Sequence, residues 1–298
     1  MRVLITGING FSGSHLVDYI TKNYPEVKVF GFKGDIQEPR SSITAIEKAQ
    51  PDIIFHLAAQ IDIKASFTTP IDTFQTNTIG TLNLLEAVRH SELDPIIHLC
   101  SSSEVYGKVN KNEIPIKEDC PLRPASPYAV SKVAADMLGY QYWLSYGMKI
   151  IRSRAFTLAG TRQSTICVLP AFCRQIALIE RGKQEPVIKV GNLDSVRTFC
   201  DVRDIARAYW LLVNKCQYGE VYNIGSKQTM TIGEMLNALL VLSPYKIKIE
   251  KDPNLMRPSD VTLQIPDSSK FKKATGWEPE IPLEKTLEDT LDYWRNKE

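Results

Sequence analysis

The chain has 298 residues, 43% of them hydrophobic, and a formal net charge of +2. That length and apolar share suffice for a large core divided between two lobes. The near-neutral balance gives no electrostatic basis for binding nucleic acid or an anionic membrane, and no apolar run reaches membrane-spanning length.

In chain order, the apolar run Val3-Leu4-Ile5 predicts a buried strand of a parallel sheet. It ends on Gly7, with Gly10 and Gly13 following at three-residue steps into an amphipathic helix from Ser14 to Ile20. Gly7 permits a tight turn, Gly10 lets a pyrophosphate approach the backbone, and Gly13 lets helix and strand pack closely. Strands are predicted at 27–32, 52–57, 96–100 and 149–154, with helices at 42–50, 78–90 and 128–146 between them. This alternation predicts an α/β, Rossmann-type doubly wound parallel sheet over residues 1–155. Residues 156–298 read as a smaller α/β substrate-binding lobe, with the stretch around 195–215 able to return to the first domain. One connection is too short. Only Lys33 and Gly34 separate the second strand from Asp35-Ile36, whereas a parallel crossover needs about a dozen residues. Either one crossover unit is absent or residues have been lost from the sequence.

Tyr128 and Lys132 stand four apart on the predicted helix, hence on one face. An ammonium beside a phenol favours the phenolate, so the tyrosine pKa is expected below its usual value of about 10. That would suit Tyr128 to acid–base work near neutral pH. Upstream, a strand ending in Ser101-Ser102-Ser103 delivers hydroxyls to the carboxyl edge of the sheet, where ligands of open parallel sheets bind. The six cysteines (100, 120, 167, 173, 200 and 216) show no zinc-type spacing, so no metal is expected. They are expected to stay reduced. With the first strand starting at Arg2, no room for a secretory leader is expected, and the location is read as cytoplasmic. His15, His56, His90 and His98 have no triad partners and read as structural.

Together, Gly7-x-x-Gly10-x-x-Gly13, His56-Leu57-Ala58-Ala59, Asn77, the serine run and Tyr128-x-x-x-Lys132 resemble the extended short-chain dehydrogenase/reductases. The resemblance extends through Arg197 to Asp204, Tyr222-Asn223-Ile224 and Arg257-Pro258-Ser259-Asp260. It implies an enzyme acting on a nucleotide sugar. Tyr128 would exchange a proton with the sugar's C4 oxygen, Ser102 would hydrogen-bond that oxygen, and Lys132 would hold the nicotinamide ribose. Gly7, Gly10, Phe11, Gly13, Asp35, Ile36, Leu57, Ala58, Ala59 and Asn77 would contact the dinucleotide. Lys33, standing where NAD-specific sites place an acid, favours NADP(H) over NAD(H). Substrate contacts would come from Ser102, Ser103, Glu104, Thr157, Lys189, Arg197, Asn223 and Arg257, with the two arginines pairing with a diphosphate.

Reaction direction stays open. Ser102-Ser103-Glu104 fits the GDP-mannose 4,6-dehydratases, in which the glutamate removes the C5 proton, yet related reductases also carry Ser-Ser-Glu. The short second unit, with 184–192 and 197–204, resembles the GDP-4-keto-6-deoxy-mannose reductases and favours reduction. A departure stands at Thr157-Leu158-Ala159-Gly160-Thr161, where the family carries Asn-His-x-Gly-Pro, so nucleotide or sugar identity could differ. Family members pair through two long helices, which implies a homodimer through the helices near 78–90 and 128–146. A non-catalytic dinucleotide sensor is the remote alternative, and the tyrosine–lysine pair argues against it.

Overall fold

The computed structural model describes residues 1–256, 261 and 263–298. The first half alternates strictly: β1 (Arg2–Thr6), α1 (Phe11–Asn23), β2 (Lys28–Gly31), α2 (Pro39–Ala49) and β3 (Ile53–His56). Next come α3 (Ile63–Thr68), α4 (Pro70–Phe74), a π turn (Gln75–Ile79), α5 (Gly80–Arg89) and β4 (Ile96–Cys100). α6 (Pro127–Tyr146) and β5 (Ile150–Ala155) complete the series. Ser126 caps α6 by accepting from the Ala129 amide, Pro127 occupies its first turn, and Gly147 ends it in the left-handed region.

The strands form a parallel sheet in the order β10-β5-β4-β3-β1-β2, closed by β10 (Val221–Ile224) from far downstream. Side-chain alternation along β1 loads both faces. Val3 and Ile5 pack with Leu16 and Ile20 of α1 and with Tyr209 and Leu212 of α8 (Val202–Lys215). Leu4 packs on the other face with Ile46 of α2, Leu84 and Leu85 of α5, and Tyr142 of α6. Helices on both faces are what a doubly wound sheet requires.

The short connection resolves here. β2 leads through residues 32–38 directly into α2, which crosses to β3 on the far side of β1. No strand follows β2 before α2, so β2 is the edge of the sheet. Asp35 sits instead in a turn, its carboxylate accepting from the Gln37 amide at 2.9 Å. Helix α1 also starts earlier than expected, at Phe11 rather than Ser14, because the extended Gly10 already caps it and accepts from the Ser14 amide.

The second lobe is built from β6 (Leu158–Ala159), α7 (Val168–Glu180), β7 (Val187–Val190), β8 (Val196–Thr198) and β9 (Cys200–Asp201), followed after β10 by β11 (Thr229–Thr231). It continues with α9 (Ile232–Val241), β12 (Lys248–Lys251), β13 (Leu263–Gln264), α10 (Ser269–Thr275) and α11 (Leu283–Lys297). Its own core gathers Phe172, Ile176, Ile188, Leu236, Leu287 and Trp294. The short β8 joins β11 on one side and β13 on the other, with Arg197 opposite Gln264. Among the described residues, no helix is long and apolar enough to cross a membrane.

Candidate active site

A cleft of about 1300 Å³ runs between the lobes along the carboxyl edge of the sheet. At one end it is walled by the turn from Gly7 to Gly13, by Gly34, Asp35 and Ile36, and by Leu57, Ala58 and Ala59. Gly7 adopts φ +70°, and a Cβ on Gly13 would collide with the Gly7 carbonyl oxygen, so only glycine permits this strand–turn–helix. The Thr6 hydroxyl accepts from the Leu57 and Ala58 amides, which fastens the loop after β3 to the end of β1. The glycine-lined turn and the helix start behind it fit a dinucleotide pyrophosphate.

In the middle stand Ser101 to Glu104, Tyr128 and Lys132. Ser102 caps a short 3₁₀ turn over Ser103–Tyr106 by accepting from the Glu104 amide at 3.2 Å. Tyr128 is buried and hydrogen-bonded with Ser102, and burial pushes its phenol well above the ordinary value. The expected lowering by Lys132 is therefore reversed. The ammonium donates to the Cys100 carbonyl at 2.6 Å, and desolvation of the phenolate dominates. Tyr128 is thus a neutral O–H donor in this fold. Burial also lowers the Lys132 pKa, opposed by the negative potential of Asp136 one turn further along α6.

At the far end the cleft meets Thr157, Lys189 and Arg197. Arg197 is nearly buried, and its guanidinium donates to the carbonyls of Val196 and Val261. Arg257 lies outside the described residues. Lys33 is exposed, next to Gly34 and Asp35, and is not part of the wall.

Two expected contacts are placed elsewhere. Asn77 is buried behind the wall, where it donates to the Gln60 carbonyl and to Ser131 at 3.0 Å and accepts from the Gln60 amide at 2.8 Å. It clamps the loop after β3 to α6 instead of facing the cleft. Asn223 is fully buried, accepting from the Tyr106 hydroxyl at 2.7 Å and donating to the Ile116 carbonyl at 2.8 Å. Both ends of its amide are engaged within the protein, so it supports the sheet edge and not a ligand. The structure adds Gln264, Cys167 and Lys64 to the wall. Gln264 carried no local signal, because its two-residue strand acquires meaning only through pairing with β8.

Two of the histidines are held inside the sheet by hydroxyls. His56 bridges the Thr6 and Thr81 hydroxyls at 2.8 and 2.9 Å, and His98 contacts Ser153 Oγ at 2.7 Å. Burial lowers both to about 3, keeping them neutral. No disulfide joins any of the six cysteines, all of which are among the described residues. Among the described residues, no group of three or more His, Cys, Asp and Glu side chains could hold a metal ion.

Comparison with known proteins agrees with this geometry. The GDP-mannose 4,6 dehydratase family profile matches residues 26–290. The GDP-6-deoxy-D-mannose reductase of Pseudomonas aeruginosa is 33% identical, covering 99% of this chain and 98% of that protein. A GDP-mannose 4,6-dehydratase of Yersinia enterocolitica is 29% identical over 95% of this chain and 91% of its own length. Among solved structures, RMD from Pseudomonas aeruginosa complexed with NADPH superposes with a TM-score of 0.93 at 32% identity, each chain covered fully. The UDP-glucose 4-epimerase of Thermus thermophilus in complex with NAD gives 0.89 at 27% identity, covering 99% of each chain. A cleft lined by a glycine turn, a serine-ended strand and a tyrosine–lysine helix, together with these matches, places the chain in the GDP-mannose 4,6-dehydratase family of the extended short-chain dehydrogenase/reductases.

Proposed function

We propose that this protein reduces the 4-keto group of GDP-4-dehydro-6-deoxy-D-mannose, forming GDP-6-deoxy-D-mannose (GDP-D-rhamnose). The observation that carries this reading is the Tyr128 phenol held by a hydrogen bond with Ser102 inside the cleft. A ketone reduction needs a proton donor and a hydrogen-bonding hydroxyl at the developing alkoxide, and these two groups stand together there. When bound, NADPH would supply the hydride. Tyr128 donates its proton to the C4 oxygen and Ser102 holds that oxygen in place. Lys132, anchored on the Cys100 carbonyl, would have its remaining N–H bonds to offer to the ribose hydroxyls. The missing crossover and the likeness to the Pseudomonas reductase point the same way.

The dinucleotide would lie along Gly7, Gly10, Phe11 and Gly13, with Asp35, Ile36 and Leu57 to Ala59 around it. Lys33 at the end of β2 favours a 2′-phosphate, hence NADP(H). The nucleotide sugar would occupy the wall of Ser103, Glu104, Thr157, Lys189 and Arg197. Residues 1–155 would chiefly hold the dinucleotide and 156–298 the substrate. We also infer a homodimer. On α6, the apolar Val130, Met137 and Leu144 recur every seventh residue and are 41%, 39% and 62% exposed, with Tyr140 beside them. Such a stripe suits a helix-on-helix interface.

A second reading, 4,6-dehydration of GDP-mannose with Glu104 as the C5 base, is favoured by the placement of that carboxylate in the cleft near Tyr128. Two assays separate them. The reductase oxidises one NADPH per keto sugar and leaves GDP-mannose untouched. Formation of keto sugar from GDP-mannose without net cofactor consumption would overturn it.

A further inference from the structure

Gln264 has a place in the site that no motif announces. It is buried on β13, directly opposite Arg197 of β8, and it reaches back to the serine-ended loop of the first lobe. The Ser103 hydroxyl donates to Gln264 Oε1 at 3.1 Å, and Gln264 Nε2 donates to Glu104 Oε1 at 3.3 Å. The Glu104 carboxylate can only accept, so it fixes which end of the amide carries the N–H, and the Ser103 hydroxyl then donates to the amide oxygen. All four side chains, Ser103, Glu104, Arg197 and Gln264, line the cleft.

A 4-keto sugar has an acidic hydrogen at C5, adjacent to the carbonyl. A free carboxylate could remove it: the Glu104 oxygen takes the proton and the C–H pair becomes the enolate double bond. The charge then rests on the C4 oxygen, facing Tyr128 and Ser102. A carboxylate that accepts a hydrogen bond is a weaker base and is fixed in orientation. We propose that Gln264 is a positioning residue that holds Glu104 against the cleft wall and withholds it from the C5 hydrogen, favouring reduction over enolisation. This rests on the 4-keto-sugar reading of the site.

The test uses the full-length protein in deuterium oxide with the GDP-4-keto-6-deoxy-mannose substrate, following NADPH oxidation by absorbance and deuterium at C5 by NMR. Gln264→Met and Gln264→Leu both remove the amide while keeping an apolar filler, and NADPH binding by fluorescence verifies the folded site in each. The wild type is expected to reduce the sugar with C5 exchange no faster than the enzyme-free rate. Losing one charge-assisted hydrogen bond should speed C5 exchange in the variants, and slow kcat for reduction, by about tenfold each, with KM held within about twofold. Variants that bind NADPH yet exchange C5 no faster than wild type overturn the proposal. A wild type that never oxidises NADPH overturns the reductase reading alone, because C5 exchange needs only the bound keto sugar and still compares the variants.

Discussion

The Lys132 ammonium donates to the Cys100 carbonyl at 2.6 Å, tying the second turn of α6 to the last residue of β4. The interaction locks the lysine beside the serine-ended loop and leaves the phenol of Tyr128 to be governed by burial. Replacing Lys132 with Met removes both this anchor and the buried charge. Turnover is expected to fall by about a hundredfold to a thousandfold, the range that one positioned electrostatic group contributes. The Kd for NADPH should rise as well. Steady-state kinetics and NADPH fluorescence check the two effects separately.

Tyr128→Phe removes a single oxygen. Without the proton donor, kcat should drop by about a hundredfold to ten-thousandfold, while NADPH affinity stays within about twofold of wild type because no cofactor-anchoring cation is lost. Turnover equal to wild type would exclude Tyr128 as the donor.

Two buried neutral histidines impose a pH dependence on stability. His56 and His98 are held near 3, well below the ordinary 6.5. Between those values the unfolded chain binds more protons than the folded one, so stability falls as pH drops below 6.5. At pH 5 each histidine should cost about 2 kcal/mol relative to pH 7.5. Denaturant unfolding at both pH values measures the loss. An unchanged midpoint would mean that the two rings do not stay neutral in the fold.

Asp136 joins two buried arginines, meeting Arg152 Nη1 at 2.7 Å and Arg154 Nε at 2.9 Å. Burial opposes its ionisation, but the two guanidiniums hold its carboxyl below the usual value. Asp136→Asn leaves both cations in the interior without their counter-charge, which should cost about 3–5 kcal/mol. The denaturant midpoint should move down accordingly, with residual activity lost in parallel as the native fraction falls.

Leu144→Glu places a charge at the most exposed residue of the apolar stripe of α6, its carboxyl end. If that stripe is the dimer interface, light scattering after size exclusion should report twice the chain mass for wild type and a single chain mass for the variant. Reduction of the keto sugar should persist, since Leu144 does not line the cleft.

Much of this site was legible because its chemistry is carried by short spacings. A glycine turn between strand and helix, serines at a strand end, and Tyr128 four residues from Lys132 all report on neighbours within one turn. The structure brings these to one cleft. What local pattern could not supply was the direction in which side chains point across elements. Asn77 and Asn223 stand in recognisable segments, yet their amides are engaged by Gln60, Ser131, Tyr106 and Ile116. The shift of Tyr128 was misjudged for the same reason: spacing fixed the face of the helix but not that Lys132 turns to Cys100. Gln264 was invisible, since a two-residue strand has no periodicity and its role comes from pairing with β8.

The absent crossover unit leaves β2 as a sheet border, and an unpaired row of amides and carbonyls is a template for adding a foreign strand. Here the border is only four residues long, opens on the exposed Lys28, and has the Arg2 guanidinium 4.6 Å from the Phe30 ring centre. At the opposite border, Lys270 of α10 donates to the Val221 carbonyl of β10 at 2.8 Å. Both margins are therefore short and guarded by cations. The sheet ends on two borders that offer neighbouring molecules no long, flat edge on which to polymerise.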